Sequence, residues 1–240
     1  MNAVFLSDAH LKNRSDPGYR ALLRFFDSIQ GEIEHLYIAG DFFDFWFCGN
    51  GLIYPEFFDI INRLRELQAG GTGIHFCEGN HDFDMAPYFS AQLGMEVFTD
   101  SADLILDGKR IFLSHGDTVD RSNHKYLFLR WILRTRGFDI FQSLIPPEVR
   151  WKLAMISSET SKGMSEQSRD ELAEKMSAFS LGKFREGFDA VILGHCHKPL
   201  LRRHGSGADE KIFAALGDWV EYRSYVLFSD GCFSLKFFES

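Results

Sequence analysis

Residues 191–199 read VILGHCHKP: three apolar residues and a glycine, then two histidines with a cysteine between them. On an extended chain, residues i and i+2 project to one face and i+1 to the other. His195 and His197 are therefore expected to share a target, with Cys196 pointing away from it. A pair of hydrogen-bonding histidines at a strand end would look the same. The rest of the chain decides between the two, because the pattern recurs. AVFLS (3–7) runs into Asp8 and His10, LYIAG (36–40) into Asp41, GIHFCEG (73–79) into Asn80 and His81, and IFLS (111–114) into His115. Continuous apolar runs with little alternation suit strands buried on both faces.

Between the early runs lie helical patterns. Leu22, Phe25, Phe26 and Ile29 fall at helical spacing behind Pro17, and Phe57, Ile60, Ile61, Leu64 and Leu67 do so behind Pro55. Strand–helix–strand alternation predicts an α/β layered domain. Asp107-Gly108 and Asp230-Gly231 sit between apolar runs and read as hairpin turns, so the sheets are mixed. Residues 120 to about 186 lack strand signals and read as helices, including KYLFLRWILRTR (125–136) and RDELAEKMSAFSLGKF (169–184). This stretch is expected to be a helical insertion in a single domain spanning 1–240. The closing hairpin, SYVLFSDGCFSLKFF (224–238), returns the chain to the core.

The bulk numbers narrow the function. At 240 residues, 45% hydrophobic and 25% charged, the chain has the makings of a soluble globular domain with a sizeable core. A net charge of −8 argues against general nucleic-acid binding. The four cysteines form no CxxC pair, which favours a reducing compartment. MNAVFLSDAH has no basic leader, and no apolar run is long enough to span a bilayer, so the cytoplasm is the expected location.

The strand-end residues form a donor set. Asp8, His10, Asp41, Asn80, His115, His195 and His197 offer nitrogen and oxygen ligands and no thiolate. Seven such donors exceed a four-coordinate zinc site and fit two divalent ions sharing one carboxylate. Mixed imidazole and carboxylate suit manganese, iron or zinc better than calcium or magnesium. Asn80 ligates without adding negative charge, which preserves attraction for a phosphate.

The blocks DAH (8–10), GDFFD (40–44), GNHD (79–82), HGD (115–117) and GHCH (194–197), in this order, resemble the calcineurin-like metallophosphoesterase superfamily. The resemblance implies a four-layer αββα sandwich of mixed sheets around a dinuclear centre. It implies Asp8, His10 and His197 on one metal, Asn80, His115 and His195 on the other, and Asp41 as the bridge. Two such ions would activate a water for in-line attack on phosphorus. His81 is then placed to donate a proton or hydrogen bond to the phosphate or leaving group, with Asp82 as its orienting partner.

Within the superfamily, LSDAHL, GDFFDFWFC, HGDT, the 120–186 insertion and LGDWVE (216–221) resemble the UDP-2,3-diacylglucosamine diphosphatase family of lipid A biosynthesis. That likeness implies pyrophosphate cleavage of a lipid-linked sugar nucleotide, with manganese, on the cytoplasmic face of the inner membrane, under a helical cap. Asn80, His81 and His195 would face the substrate, and Asn123, Ser158, Ser161 and Lys162 are candidate cap contacts by position. Better-known members carry arginine where this chain has His81. From 121 to 152, seven basic residues stand against Asp139 and Glu148, interleaved with Phe128, Trp131 and Ile132. Such a segment could meet acyl chains and anionic lipid, or pack its apolar face on the core with arginines reaching into water. The competing functions are a metallophosphoesterase for another phosphodiester or phosphomonoester, and a silent scaffold, which the intact donor set disfavours.

Overall fold

The computed structural model describes residues 1–46, 53–135, 145 and 165–239. Two mixed sheets pack face to face. The first comprises β1 (Ala3–Leu6), β2 (His35–Ala39), β3 (Gly73–Cys77), β4 (Glu96–Phe98), β10 (Ser224–Ser229) and β11 (Cys232–Phe237), in the order β11-β10-β1-β2-β3-β4. The four N-terminal strands run parallel, and the terminal hairpin joins β1 antiparallel. The second sheet, β5-β6-β7-β9-β8, contains β5 (Ser101–Leu106), β6 (Lys109–Ser114), β7 (Ala190–Leu193), β8 (Pro199–His204) and β9 (Lys211–Leu216). There β6, β7 and β9 are parallel and the two edge strands antiparallel.

The unalternating runs have the expected cause. Ala3 and Phe5 of β1 pack into the inter-sheet core with Tyr37, Ile111, Ile192 and Ala214, while Val4 and Leu6 face the helices. Those helices are α1 (Pro17–Ile29) and α2 (Phe58–Ala69), whose Leu22, Phe25, Phe26, Ile60, Ile61 and Leu64 are buried against the first sheet. Asp16 caps α1 by accepting from Gly18 N at 2.8 Å, ahead of Pro17. Both Asp-Gly turns have positive φ at each residue, as two-residue hairpins require.

The 120–186 stretch holds two described helices with different surroundings. The first, α4 (His124–Leu133), follows the short α3 (Ala86–Phe89) in chain order. The second, α5 (Glu166–Arg185), lies flat on the second sheet, where Ala173 and Met176 pack with Val191, Leu193, Phe213 and Ala215. It supplies the fourth layer, giving the sandwich the order helices, sheet, sheet, helix. Cys196 is buried in that same cluster, away from the histidines beside it, and Cys77 is likewise a core residue. Trp219 is fully buried against Phe25 and Phe238 and serves the core.

Candidate metal centre

The predicted donors converge at the carboxyl ends of β1, β2, β3, β6 and β7, where ligands of layered α/β folds collect. Two groups have donor atoms within 4.8 Å of one another: Asp8, His10 and His197, and Asp41, His115 and His195. Asn80 joins the second, its Oδ1 lying 3.1 Å from His115 Nε2. Asp41 Oδ2 stands between the groups, 3.8 Å from His10 Nε2 and 3.5 Å from His115 Nε2.

The way these side chains converge differs from the extended-strand expectation. His195 and His197 fall into separate groups, and neither is in a strand. Asp8, His10, Asp41, His195 and His197 all have φ between 43° and 65°. Non-glycine residues in this region cost roughly 1–2 kcal/mol each and cluster at functional sites. Tight backbone stitching between neighbouring loops holds them. Asp8 N donates to Gly40 O (3.1 Å), His10 N to Asp41 O (3.0 Å), Gly194 N to His115 O (2.9 Å) and Trp219 N to Asp8 O (3.2 Å). The close approach also explains the glycines of the motif blocks: a Cβ at Gly40 would meet His115 Nδ1 at 2.6 Å.

Outer partners fix the ring orientations. His115 Nδ1 donates to Ala39 O at 2.9 Å, so Nε2 faces the cleft. His197 Nδ1 pairs with Asp218 Oδ2 at 3.2 Å, which aims Nε2 at Asp8 Oδ1, 3.4 Å away. Asp218 is itself held by the N–H groups of Glu221 and Tyr222. His81 Nδ1 donates to Asp44 O at 3.0 Å, and its backbone N–H donates to Asp41 Oδ1 at 2.9 Å.

Asp82 does not orient the His81 ring. Its buried carboxylate accepts from four backbone N–H groups, those of Gly79, Asp41, Phe42 and Phe43, and so pins the β3 loop to the β2 loop. Sequence reasoning missed two acidic residues here. Asp218, in the LGDWVE block, is one: it holds His197 Nδ1. Asp44, the second aspartate of GDFFD, forms a third group of donors with His10 and His81.

The electrostatics follow from burial and from the aspartates. Burial pulls His195 down to about 4, with His115 adding to the shift, so it is a neutral imidazole. Burial also opposes the proton on His115, but Asp41 outweighs it and holds that ring well above the usual imidazole range. Asp41 correspondingly stays well below the usual carboxylate range: burial works against its charge, and His115 and His81 overcome it. His81 is raised, burial again opposing and Asp41 prevailing.

This donor set fits divalent cations. Asp8 Oδ1 and His10 Nε2 are buried with no hydrogen-bond partner among the described residues. A bare buried carboxylate oxygen facing imidazoles is costly unless a cation satisfies it.

A cleft of about 450 Å³ opens beside the second group, lined by Asn80, His195, Asp117, Asn123, Tyr126 and residues of α5. Asn123 is also the N-cap of α4, accepting from Tyr126 N at 3.2 Å. Ser158, Ser161 and Lys162 lie outside the described residues. Arg130 of α4 and Arg134 at its C-cap lie neither on lipid nor free in water. Arg130 pairs with Asp117 (2.8 Å) and Asp100 (2.7 Å), and Arg134 with Glu78 (3.0 Å). Arg121 and Lys125 are exposed, and so are Phe128 and Trp131, at 61% and 64%.

The layered fold and this donor set are those of a metallophosphoesterase. The chain belongs to the calcineurin-like phosphoesterase family, whose model matches residues 1–199. Among its relatives, the UDP-2,3-diacylglucosamine hydrolase of Neisseria gonorrhoeae is 30% identical over 232 residues, covering 95% of this chain and 94% of its own. The protein of that name from Edwardsiella ictaluri is 30% identical over 245 residues (94% and 88%), and that from Pseudomonas paraeruginosa 28% over 221 residues (91% of each). Among solved structures, an archaeal phosphodiesterase aligns over 99% of this chain and all of its own, with TM-score 0.53 at 13% identity, a likeness of fold.

Proposed function

We propose that this protein hydrolyses the pyrophosphate bond of UDP-2,3-diacylglucosamine, giving UMP and 2,3-diacylglucosamine 1-phosphate. The observation that carries the reading is near-full-length similarity to hydrolases named for that substrate, together with the Asp41-centred donor set. In this reading Asp8, His10 and His197 hold one divalent ion, Asn80, His115 and His195 hold a second, and Asp41 bridges. Manganese suits the mixed imidazole and oxygen donors. When bound, such ions polarise the phosphoryl oxygens and the attacking water.

The chain's own residues do the rest. Asp218 and Ala39 O keep His197 and His115 aimed inward. His81, anchored through Nδ1 to Asp44 O, presents Nε2 as the donor to the departing phosphate. In this reading Asn80, His81, His195 and Asn123 are the substrate contacts among the described residues. The exposed Phe128 and Trp131 support an acyl-chain or membrane-surface role for α4. No helix among the described residues is long and apolar enough to cross a membrane. We propose a peripheral association with the cytoplasmic face of the inner membrane.

The test is manganese-loaded protein given UDP-2,3-diacylglucosamine beside bis(p-nitrophenyl) phosphate. UMP release from the lipid nucleotide, with the simple ester turned over slowly or not at all, supports the reading. Brisk cleavage of the ester and none of the lipid nucleotide would assign the site to another phosphodiester.

A further inference from the structure

The glycine before Asn80 is imposed by crowding: a Cβ at Gly79 would lie 2.2 Å from Asp41 Oδ1. Glycine is also the residue whose backbone reorients most readily. The Gly79–Asn80 peptide sets where the Asn80 carboxamide and the His81 ring point, so its plane has to be fixed from outside. Arg134 does this directly: its Nη2 donates to Gly79 O, the carbonyl of that peptide, at 3.0 Å. Asp82 holds the peptide before it, where Oδ1 accepts from Gly79 N at 3.1 Å.

Arg134 comes from a different element, as the C-cap residue of α4. Its Nη1 donates to Glu78 Oε2 (3.0 Å) and Thr99 O (3.1 Å), and its guanidinium lies 5.5 Å from the centre of the Phe83 ring. Glu78 Oε1 in turn accepts from Met85 N at 2.9 Å, which closes a belt around residues 78–85. The Arg134 and Glu78 side chains are only 15% and 4% exposed, so this is not an ordinary solvated surface pair. Arginine's planar fork suits the task, because it can bind a carboxylate and a carbonyl at once.

We propose that Arg134 is a positioning residue. By gripping the Gly79 carbonyl it fixes the peptide that presents Asn80 and His81, and it thereby couples α4 to the chemistry. This rests on the reading of Asn80 as ligand and His81 as donor given above.

Arg134→Met and Arg134→Lys, made in the full chain and loaded with manganese, test the proposal. Steady-state kinetics are measured with UDP-2,3-diacylglucosamine and with bis(p-nitrophenyl) phosphate, and manganese binding by calorimetry. Arg134→Met is expected to lower kcat roughly 10- to 100-fold, the usual cost of losing a residue that orients a ligand, with KM within about threefold. One of the two manganese ions should bind more weakly and the other should be unchanged. Arg134→Lys should recover part of kcat, because an ammonium can reach Glu78 or the Gly79 carbonyl but not both. A folded Arg134→Met with kcat within about twofold of wild type, or with a loss confined to KM, would overturn the proposal. Should Arg134→Met fail to fold, Arg134→Lys decides: wild-type kcat and manganese affinity overturn it, and a several-fold kcat loss at unchanged KM supports it. Wild-type protein that cleaves the simple ester but not the lipid nucleotide would refute the substrate reading alone, and Arg134 is then judged on the ester.

Discussion

The strand-end loops and helix α4 both border the cleft, but they are held in place by different means. The loops carry five of the predicted donors in left-handed backbone conformation, locked by backbone-to-backbone bonds and by the Asp82 carboxylate. Helix α4 is tied down by side chains alone on that side, Tyr126 and Arg130 on Asp117 and Arg134 on Glu78, while Phe128 and Trp131 face outward. Backbone stitching is independent of side-chain identity at the stitched positions. Side-chain ties can be changed one residue at a time. The strand-end loops therefore depend on backbone bonds, and the placing of α4 on a few individual side chains.

The largest expected effect lies in the loops. Chelation by EDTA, or Asp41→Ala, should abolish turnover, with a loss beyond the roughly 10²–10³-fold that follows removal of one electrostatic stabiliser. Added manganese should restore the chelated enzyme and not the variant. Asp41→Ala retaining more than a tenth of the wild-type rate would break the contrast at its loop end. Next comes His81→Ala, expected to lose about 10²–10⁴-fold in kcat with metal content unchanged if, as proposed, it donates without ligating. Metal content falling in step with activity would instead make His81 a ligand.

A smaller effect concerns pH. Asp41 holds His115 protonated well above the usual imidazole range when no cation is present. A cation needs the neutral ring, so binding expels that proton. Manganese affinity of the apoprotein should rise about tenfold per pH unit below the raised value and level off above it. Affinity independent of pH from 5 to 8, read by calorimetry, would count against His115 as a ligand. The smallest effect belongs to the exposed face of α4. Trp131→Ala should raise KM for the lipid nucleotide roughly tenfold, the worth of part of a buried aromatic, and leave the simple ester untouched. Equal effects on both substrates would move Trp131 from substrate binding to structure.

Much of this was legible in the chain, for a physical reason. Strands buried on both faces cannot alternate, so β1, β2 and β7 announce themselves as apolar runs, and the polar residues that follow them mark the cleft. The two Asp-Gly turns were equally readable. Extended i, i+2 geometry predicts one shared target for His195 and His197; the structure separates them into two groups, because Asp8, His10, His195 and His197 leave the extended region altogether. Residues that work through long-range partners left little trace. Asp218 meets His197 from the β9–β10 loop, and Arg134 meets Gly79 from α4. A spacing rule cannot see such pairs. Helix α5 read as part of an insertion because its own sequence does not reveal that the second sheet needs an outer cover.

The central claim is a pair of cations clasped around Asp41. Anomalous diffraction at the manganese edge, from crystals grown with the metal, tests it most directly. The account predicts two peaks flanking Asp41, one beside Asp8, His10 and His197 and the other beside Asn80, His115 and His195. A single peak, or peaks that leave Asp41 uncontacted, would contradict it.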